Sequence, residues 1–230
     1  MNGDGFRSIG ASTFLGPIPA VLVGSAGDAG WREGEGRPNL LAVAWTGIVC
    51  SKPPMLSISV KPERYSHGLI ARTGEFTVNL IDGALCRAMD YCGVKSGRDL
   101  DKFAALGLTP VPAAGLSAAP AVGEAPAYLS CRVTKVLPLG SHDLFVAEIV
   151  DVRVAERCLR ADGGVDEAAL GLVSFTHGKY FSQGKPLGFF GYSVAGEPAL
   201  KRRMGGAEKA RPDGKAKTGA LEKKERRRKR

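Results

Sequence analysis

The stretch YCGVKSGRDLDKF, residues 91–103, gathers two lysines, an arginine, a serine and two aspartates around two glycines. Such a set admits two readings: a solvated polar loop leading into a helix, or a cradle for an anion. Two further polar clusters stand at the ends of apolar runs. WTGIVCSKPP (45–54) carries Thr46, Cys50 and Ser51 ahead of a Pro-Pro stop, and VKPERYSHG (60–68) carries Arg64, Tyr65 and Ser66 just before a helical segment. A serine at a helix start with an arginine beside it suits a phosphate, because the first N–H groups of the helix point outward and the guanidinium offers a fork of donors. Lys95, Arg98 and Lys102 would add charge, and Ser96 a hydroxyl, toward the same anion. Taken singly, each cluster reads more simply as turn chemistry plus solvated charge.

The common ways of holding a nucleotide on an α/β fold are missing from the sequence. GDAGWREGEG lacks the GxGxxG spacing, and neither GxxxxGK[ST] nor a GxSxG elbow occurs. Five cysteines (Cys50, Cys86, Cys92, Cys131, Cys158) are scattered without CxxC spacing or a His/Cys cluster, which argues against zinc and for reduced thiols in a cytoplasmic protein. The apolar runs fall well short of the ~18 residues that span a membrane, and the chain does not open on a signal-peptide pattern.

The clusters must be positioned mainly by strands. Ala20–Gly24 and Leu40–Gly47 are apolar runs. Met55–Val60, Phe76–Ile81, Tyr128–Leu139 and Leu144–Val154 alternate apolar and polar residues, and Leu170–Phe175 reads as a final strand. Helical segments are few and short: Ser66–Thr73 before Gly74, Ala84–Cys92, and Asp99–Leu106 with Asp99 as N-cap and Gly107 as terminator. Strands do not alternate regularly with helices, so the expectation is a closed or partly closed antiparallel barrel with peripheral helices. The proline-rich Leu108–Ala127 segment either covers a site or crosses the barrel end.

The formal net charge of +9 belongs to the C-terminus. From Lys201 onward there are 14 Lys/Arg and 4 Asp/Glu, which leaves the first 200 residues close to neutral. The division expected is a folded domain over 1–197 and a basic, disordered tail over 198–230. Such a tail is either a solubilising end or a nucleic-acid-binding arm.

In their order along the chain, NLLAVAWTGIVCSKPPMLSISVKPERYS, TGEFTVNL, DYCGVKSGRDLDKF, LGSHDLFVAEIVDV and FTHGKYF resemble the flavin reductase-like family, in its flavoredoxin branch, over about residues 38–181. The resemblance implies an FMN-binding split β-barrel, usually a homodimer, that passes electrons from NAD(P)H through FMN to free flavin, a ferric complex or a protein. An electron carrier without direct NAD(P)H activity is the alternative. It further implies that Asn39 and Trp45 line the flavin pocket and that Thr46, Cys50 and Ser51 meet the ring edge. Arg64 and Ser66 would hold the ribityl phosphate, with Lys102, Lys95 and Ser96 adding to it, and Phe175 would close the pocket. GSHD stands where the family often has Gly-Asp-His, so the role there falls to His142 or Asp143, His142 being favoured. His177 is either a structural group or a pocket contact. Such chemistry belongs to the cofactor, which leaves the protein to supply cations, hydroxyls and an apolar wall.

Overall fold

The computed structural model describes residues 5–35 and 37–204. The chain divides into two compact units, the first ending at Gln183 and the second beginning at Gly184. In the first unit twelve strands follow in order: β1 (Ile18–Pro19), β2 (Val21–Ser25), β3 (Asn39–Val43), β4 (Thr46–Ser51), β5 (Pro54–Val60), β6 (Glu75–Leu80), β7 (Pro110–Pro112), β8 (Pro120–Val122), β9 (Ala127–Pro138), β10 (Asp143–Val154), β11 (Val173–Thr176) and β12 (Lys179–Ser182). Among them lie helices α1 (Tyr65–Thr73), α2 (Cys86–Val94), α3 (Lys102–Leu106) and α4 (Glu167–Leu170). The second unit contains α5 (Glu197–Met204), and within it the Arg203 guanidinium sits 4.9 Å from the centre of the Phe189 ring. The start of the basic segment, Lys201–Met204, is therefore helical, and residues 205–230, with the disorder expected of them, lie outside the described residues.

Seven strands form one antiparallel sheet in the order β3-β2-β6-β9-β10-β5-β4. Its two ends are consecutive in the chain: β3 and β4 are separated only by Ala44 and Trp45. The sheet must therefore curl until its ends meet. Ser59 N–H of β5 donates to the Trp45 carbonyl at 2.9 Å, carrying the β4–β5 ladder up to the step between β3 and β4. The result is a mainly β split barrel. Leu40–Gly47, which reads as one strand in the sequence, is two, broken where the chain steps across the seam.

The apolar core accounts for the run patterns. Val21, Val23, Leu41 and Val43 point into the barrel with Leu56, Ile58, Val60, Phe76, Val78 and Phe145. Ala20, Leu22 and Leu40 point out of it, against Met89 and Cys92 of α2 and Phe103 of α3. With both faces covered, β2 and β3 lack polar alternation. β11 forms a separate small sheet with β1 and β12, beginning at Val173 rather than Leu170 because α4 takes up Glu167–Leu170.

The Leu108–Ala127 segment is fixed in place by the outer face of β6. Thr77 Oγ1 donates to the Pro120 carbonyl at 2.6 Å, and Asn79 Oδ1 accepts from Val122 N–H at 2.8 Å. At Gly24 a Cβ would collide with the Pro120 carbonyl and lie 2.5 Å from Thr77 Oγ1, so only glycine lets the segment approach so closely. The Glu75 carboxylate accepts from Ser117 N–H (3.0 Å), Ala118 N–H (2.7 Å) and Ser117 Oγ (3.1 Å). Trp31 Nε1 clamps the same turn by donating to the Ala118 carbonyl at 2.6 Å. This segment belongs to the wall of the barrel.

Burial alone would raise the Glu75 pKa, but the donors from Ala118 and Ser117 outweigh it and hold the carboxyl below its ordinary value of 4.5. A carboxylate with a depressed folded pKa contributes stability that is present above its unfolded pKa and is lost as the pH falls through the folded one. Glu75→Ala is expected to cost about 2–3 kcal/mol at neutral pH by stranding buried donors. The difference from the native chain should shrink as the pH drops below about 4.5. Denaturant unfolding of both proteins over that range measures it.

Candidate functional site

α1, β3 and the α2–α3 connection converge on a cavity of about 270 Å3. Six of the residues expected at a binding site line it: Asn39, Arg64, Ser66, Lys95, Ser96 and Lys102, together with Leu41, Tyr65, Gly97 and Arg98. α1 starts here without a side-chain cap and without an acidic residue in its first turn, so its positive end faces the cavity uncompensated.

Lys102 is the floor. Its side chain is buried, and Nζ donates to the carbonyls of Leu40 (2.7 Å) and Cys92 (2.8 Å). The first belongs to β3 and the second to the last turn of α2, so one ammonium joins strand, α2 and α3. An ammonium has three donors, and two are used here. No carboxylate pairs with it among the described residues. Burial pushes its pKa down; Cys92 opposes that and the nearby Arg64 guanidinium adds to it. An anion in the cavity would supply the missing countercharge. α3 starts two residues later than its sequence suggests: Asp101, not Asp99, is the N-cap, accepting from Ala104 N–H at 3.0 Å, and this sets Lys102 at the first helical position.

The two arginines are held by backbone. Arg64 Nη1 donates to the Gly93 carbonyl at 3.2 Å, and Arg98 Nη1 to that of Glu63 at 2.9 Å. Glu63, the carboxylate in the lining, is turned to Lys61 Nζ at 3.6 Å. Buried Ser66 Oγ accepts from Asn39 Nδ2 at 2.7 Å, which leaves its own proton free to donate. Asn39 Oδ1 is buried without a hydrogen-bond partner among the described residues.

A second cavity of about 170 Å3 adjoins the first, with Leu41 and Arg64 in both walls. Val43, Ala44, Trp45 and Val60 give it an apolar lining, and Lys61 and His142 a polar edge. His142 packs on Trp45 with ring centres 4.6 Å apart, and its Nδ1 is 2.9 Å from Ser141 Oγ. Asp143 turns elsewhere: its Oδ2 is 2.8 Å from His67 Nε2, on α1. Of the two residues in GSHD, His142 faces the cavity.

Four expected residues line neither cavity. Thr46, Cys50 and Ser51 run along β4, where Cys50 and Ser51 pair with Met55 and Pro54 at its far end. Phe175 stands on β11, against Tyr180 (5.5 Å) and the outer core. His177 caps the β11–β12 hairpin with its ring stacked on Phe14 at 3.8 Å, a structural contact. The sequence reading missed Leu41, Gly97 and Lys61. Gly97 had a signal, the glycine inside KSGR. A Cβ there would collide with Asn39 Oδ1 and approach Tyr65 Cδ1 to 2.9 Å. Gly97→Ala is therefore expected to displace Asn39, break its bond to Ser66 and cost about 1–3 kcal/mol, read by denaturant unfolding.

Comparison with known proteins gives a consistent answer. The flavoredoxin of Desulfovibrio vulgaris (Miyazaki F) is 37% identical, with a TM-score of 0.75 over 83% of this chain and 100% of that one. An NADPH-flavin oxidoreductase of Streptomyces viridifaciens is 30% identical over 113 residues, 48% of this chain and 57% of the relative. The reductase component of a Rhodococcus opacus 4-nitrophenol 4-monooxygenase/4-nitrocatechol 2-monooxygenase is 29% identical over 119 residues, 52% of this chain and 60% of the relative. The family model of the flavin reductase like domain matches residues 16–181, well over half the chain, and the protein accordingly belongs to the flavin reductase-like family of flavin-binding oxidoreductases.

Proposed function

We propose that this chain binds FMN and passes electrons from NAD(P)H through it to an acceptor: free flavin, a ferric complex or a partner protein. The observation that carries this reading is the junction of two unlike cavities at Arg64 and Leu41, one cationic around a buried ammonium, the other apolar. A molecule with an anion at one end and a flat ring at the other matches both. Arg64, Ser66, Lys102 and the start of α1 would hold the phosphate, and Asn39, Lys95 and Ser96 would flank it. Leu41, Val43 and Trp45 would wall the ring. His142, beside Trp45, would orient an incoming nicotinamide and keep water from it. Bound flavin supplies hydride acceptance and onward electron transfer.

Homodimerisation fits the β4 edge, which exposes Ile48 (68%) and Val49 (54%) beside half-exposed Trp45. A second copy seated there would cover them and enclose Thr46, Cys50 and Ser51. A cytoplasmic location agrees with five free thiols and with the lack, among the described residues, of a helix long and apolar enough to cross a membrane. A second reading, an electron carrier that reacts poorly with nicotinamide, draws on the match to the whole length of a flavoredoxin.

Purified protein incubated with FMN and desalted is expected to keep one flavin per chain, seen in its visible spectrum, and anaerobic NAD(P)H is expected to bleach it. Retention without bleaching would favour the carrier. Arg64→Ala should weaken FMN binding about 10–100-fold, the effect of losing a charge-assisted contact. His142→Ala should leave FMN affinity intact and slow bleaching by on the order of tenfold or more, through lost positioning.

A further inference from the structure

One pair of side chains bordering the site lines neither of its cavities. His67 Nε2 and Asp143 Oδ2 lie 2.8 Å apart, with side chains only 17% and 19% exposed. A carboxylate can only accept, so Nε2 carries the proton and donates it. His67 stands in the first turn of α1, directly after Ser66, and Asp143 opens β10, directly after His142. The bond therefore joins the neighbour of a residue in the cationic cavity to the neighbour of a residue in the apolar one.

Both ends of the bond are built in. Residues two apart on a strand share a face, which puts Asp143 on the same side of β10 as the fully buried Phe145. The His67 ring meets the Phe145 ring edge-on at 5.0 Å, so one imidazole touches both residues of that face. α1 is anchored in turn by buried Ser66, Leu69 and Ile70. His142 itself lies just beyond the ladder, because Asp143 is the first residue of β10 to pair, opposite Val60 and Pro138. The turn before it is exposed at Leu139, Gly140 and Ser141, and Leu139 N–H closes it by donating to the His142 carbonyl at 2.9 Å. Other elements reach this end of the hairpin through the Trp45 ring on His142, at 4.6 Å, and through the His67 bond on Asp143.

We infer that His67 and Asp143 are positioning residues for His142: their bond ties the start of β10 to α1 and so sets the His142 imidazole against Trp45, at the polar edge of the apolar cavity. This rests on the reading above in which His142 orients nicotinamide, and it adds the two residues that fix that geometry. The bond also makes α1 a common support, since its first turn supplies Ser66 to one cavity and holds His142 at the other through His67. A misplacement of about 1 Å in a group that orients a reactant can cost about 100-fold in rate, so such a strut acts on the reaction without touching it.

The test compares the native chain with Asp143→Ala, His67→Phe and Asp143→Asn by two readouts. The first, on flavin-free protein, is the proton NMR signal of the His142 ring, one of three histidines, which the Trp45 ring current displaces. Asp143→Ala and His67→Phe should return it toward the position of a solvated histidine. Asp143→Asn, whose amide oxygen still accepts from Nε2, should keep it displaced. The second readout is the limiting rate at which NAD(P)H bleaches the FMN-loaded protein, measured apart from FMN affinity. Asp143→Ala and His67→Phe should slow it about tenfold, and Asp143→Asn should recover it to within about threefold of native. FMN affinity should stay within about twofold throughout. His67→Phe keeps an aromatic ring against Phe145, which guards against lost packing. In a His142→Ala background, Asp143→Ala should slow bleaching by no more than about twofold further, because two changes acting through one group do not add. An unmoved His142 signal in Asp143→Ala and His67→Phe would overturn the inference whatever the rates. Full additional slowing in the His142→Ala background would overturn it too, since the pair would then act by another route. A native bleaching rate in His142→Ala would instead overturn the nicotinamide reading, and the NMR signal alone would then decide whether the pair holds His142 in place.

Discussion

The site depends on a cation placed where a cation is expensive. Lys102 is buried, and its ammonium is held by two backbone carbonyls from different elements, Leu40 of β3 and Cys92 of α2. Those bonds fix α2 and α3 against the barrel and satisfy carbonyls that would otherwise be stranded. They leave a net positive charge below the cavity without a carboxylate to match it. Arg64, Arg98 and the uncapped end of α1 share that sign, while Glu63, the carboxylate in the lining, is turned to Lys61. A fold that keeps an uncompensated buried charge gains when the opposite charge binds, because the ligand removes a penalty already present in the free protein.

The barrel gives that charge its neighbour. Closing the seven-stranded sheet requires the chain to step from β3 to β4 through Ala44 and Trp45, and the step sets Trp45 at the seam. The apolar cavity lies along this seam, and Leu41, at once a core residue of β3 and a wall of both cavities, joins it to the cationic one. A cationic cavity and an apolar one therefore share a wall as a consequence of barrel closure. The surrounding glycines are placed for approach: Gly97 lets the α2–α3 connection lie against Asn39, and Gly24 lets the β7–β8 segment lie against β6.

Much of this was legible in the sequence, and what was not has physical causes. β5, β6, β9 and β10 alternate because one face of each meets the barrel core, and their bounds were readable to within a residue or two. β2 and β3 bury both faces, and their uniform apolar runs carried no signal of where Leu40–Gly47 breaks. Six of the twelve residues expected at the site line the cationic cavity. His142 and Trp45 line its neighbour, and Arg64 is in both. Cys50 and Ser51 sit far along β4, because a strand advances about 3.3 Å per residue and the turn to β5 carries them from the seam. Phe175 is in another sheet altogether. Lys102 appears in the sequence as one more charge on a short helix beside the expected anion. That it is buried, and that its charge acts from beneath the cavity, follows only from the packing of α3 under β3.

The most direct test compares FMN with riboflavin, which has the same ring and ribityl chain and lacks the phosphate. If the buried Lys102 ammonium, Arg64 and the start of α1 form an anion site, FMN should bind about 100-fold or more tighter than riboflavin. The gap should narrow as salt is raised, since part of the attraction comes from exposed groups. Equal affinities for the two flavins at low salt would contradict the account.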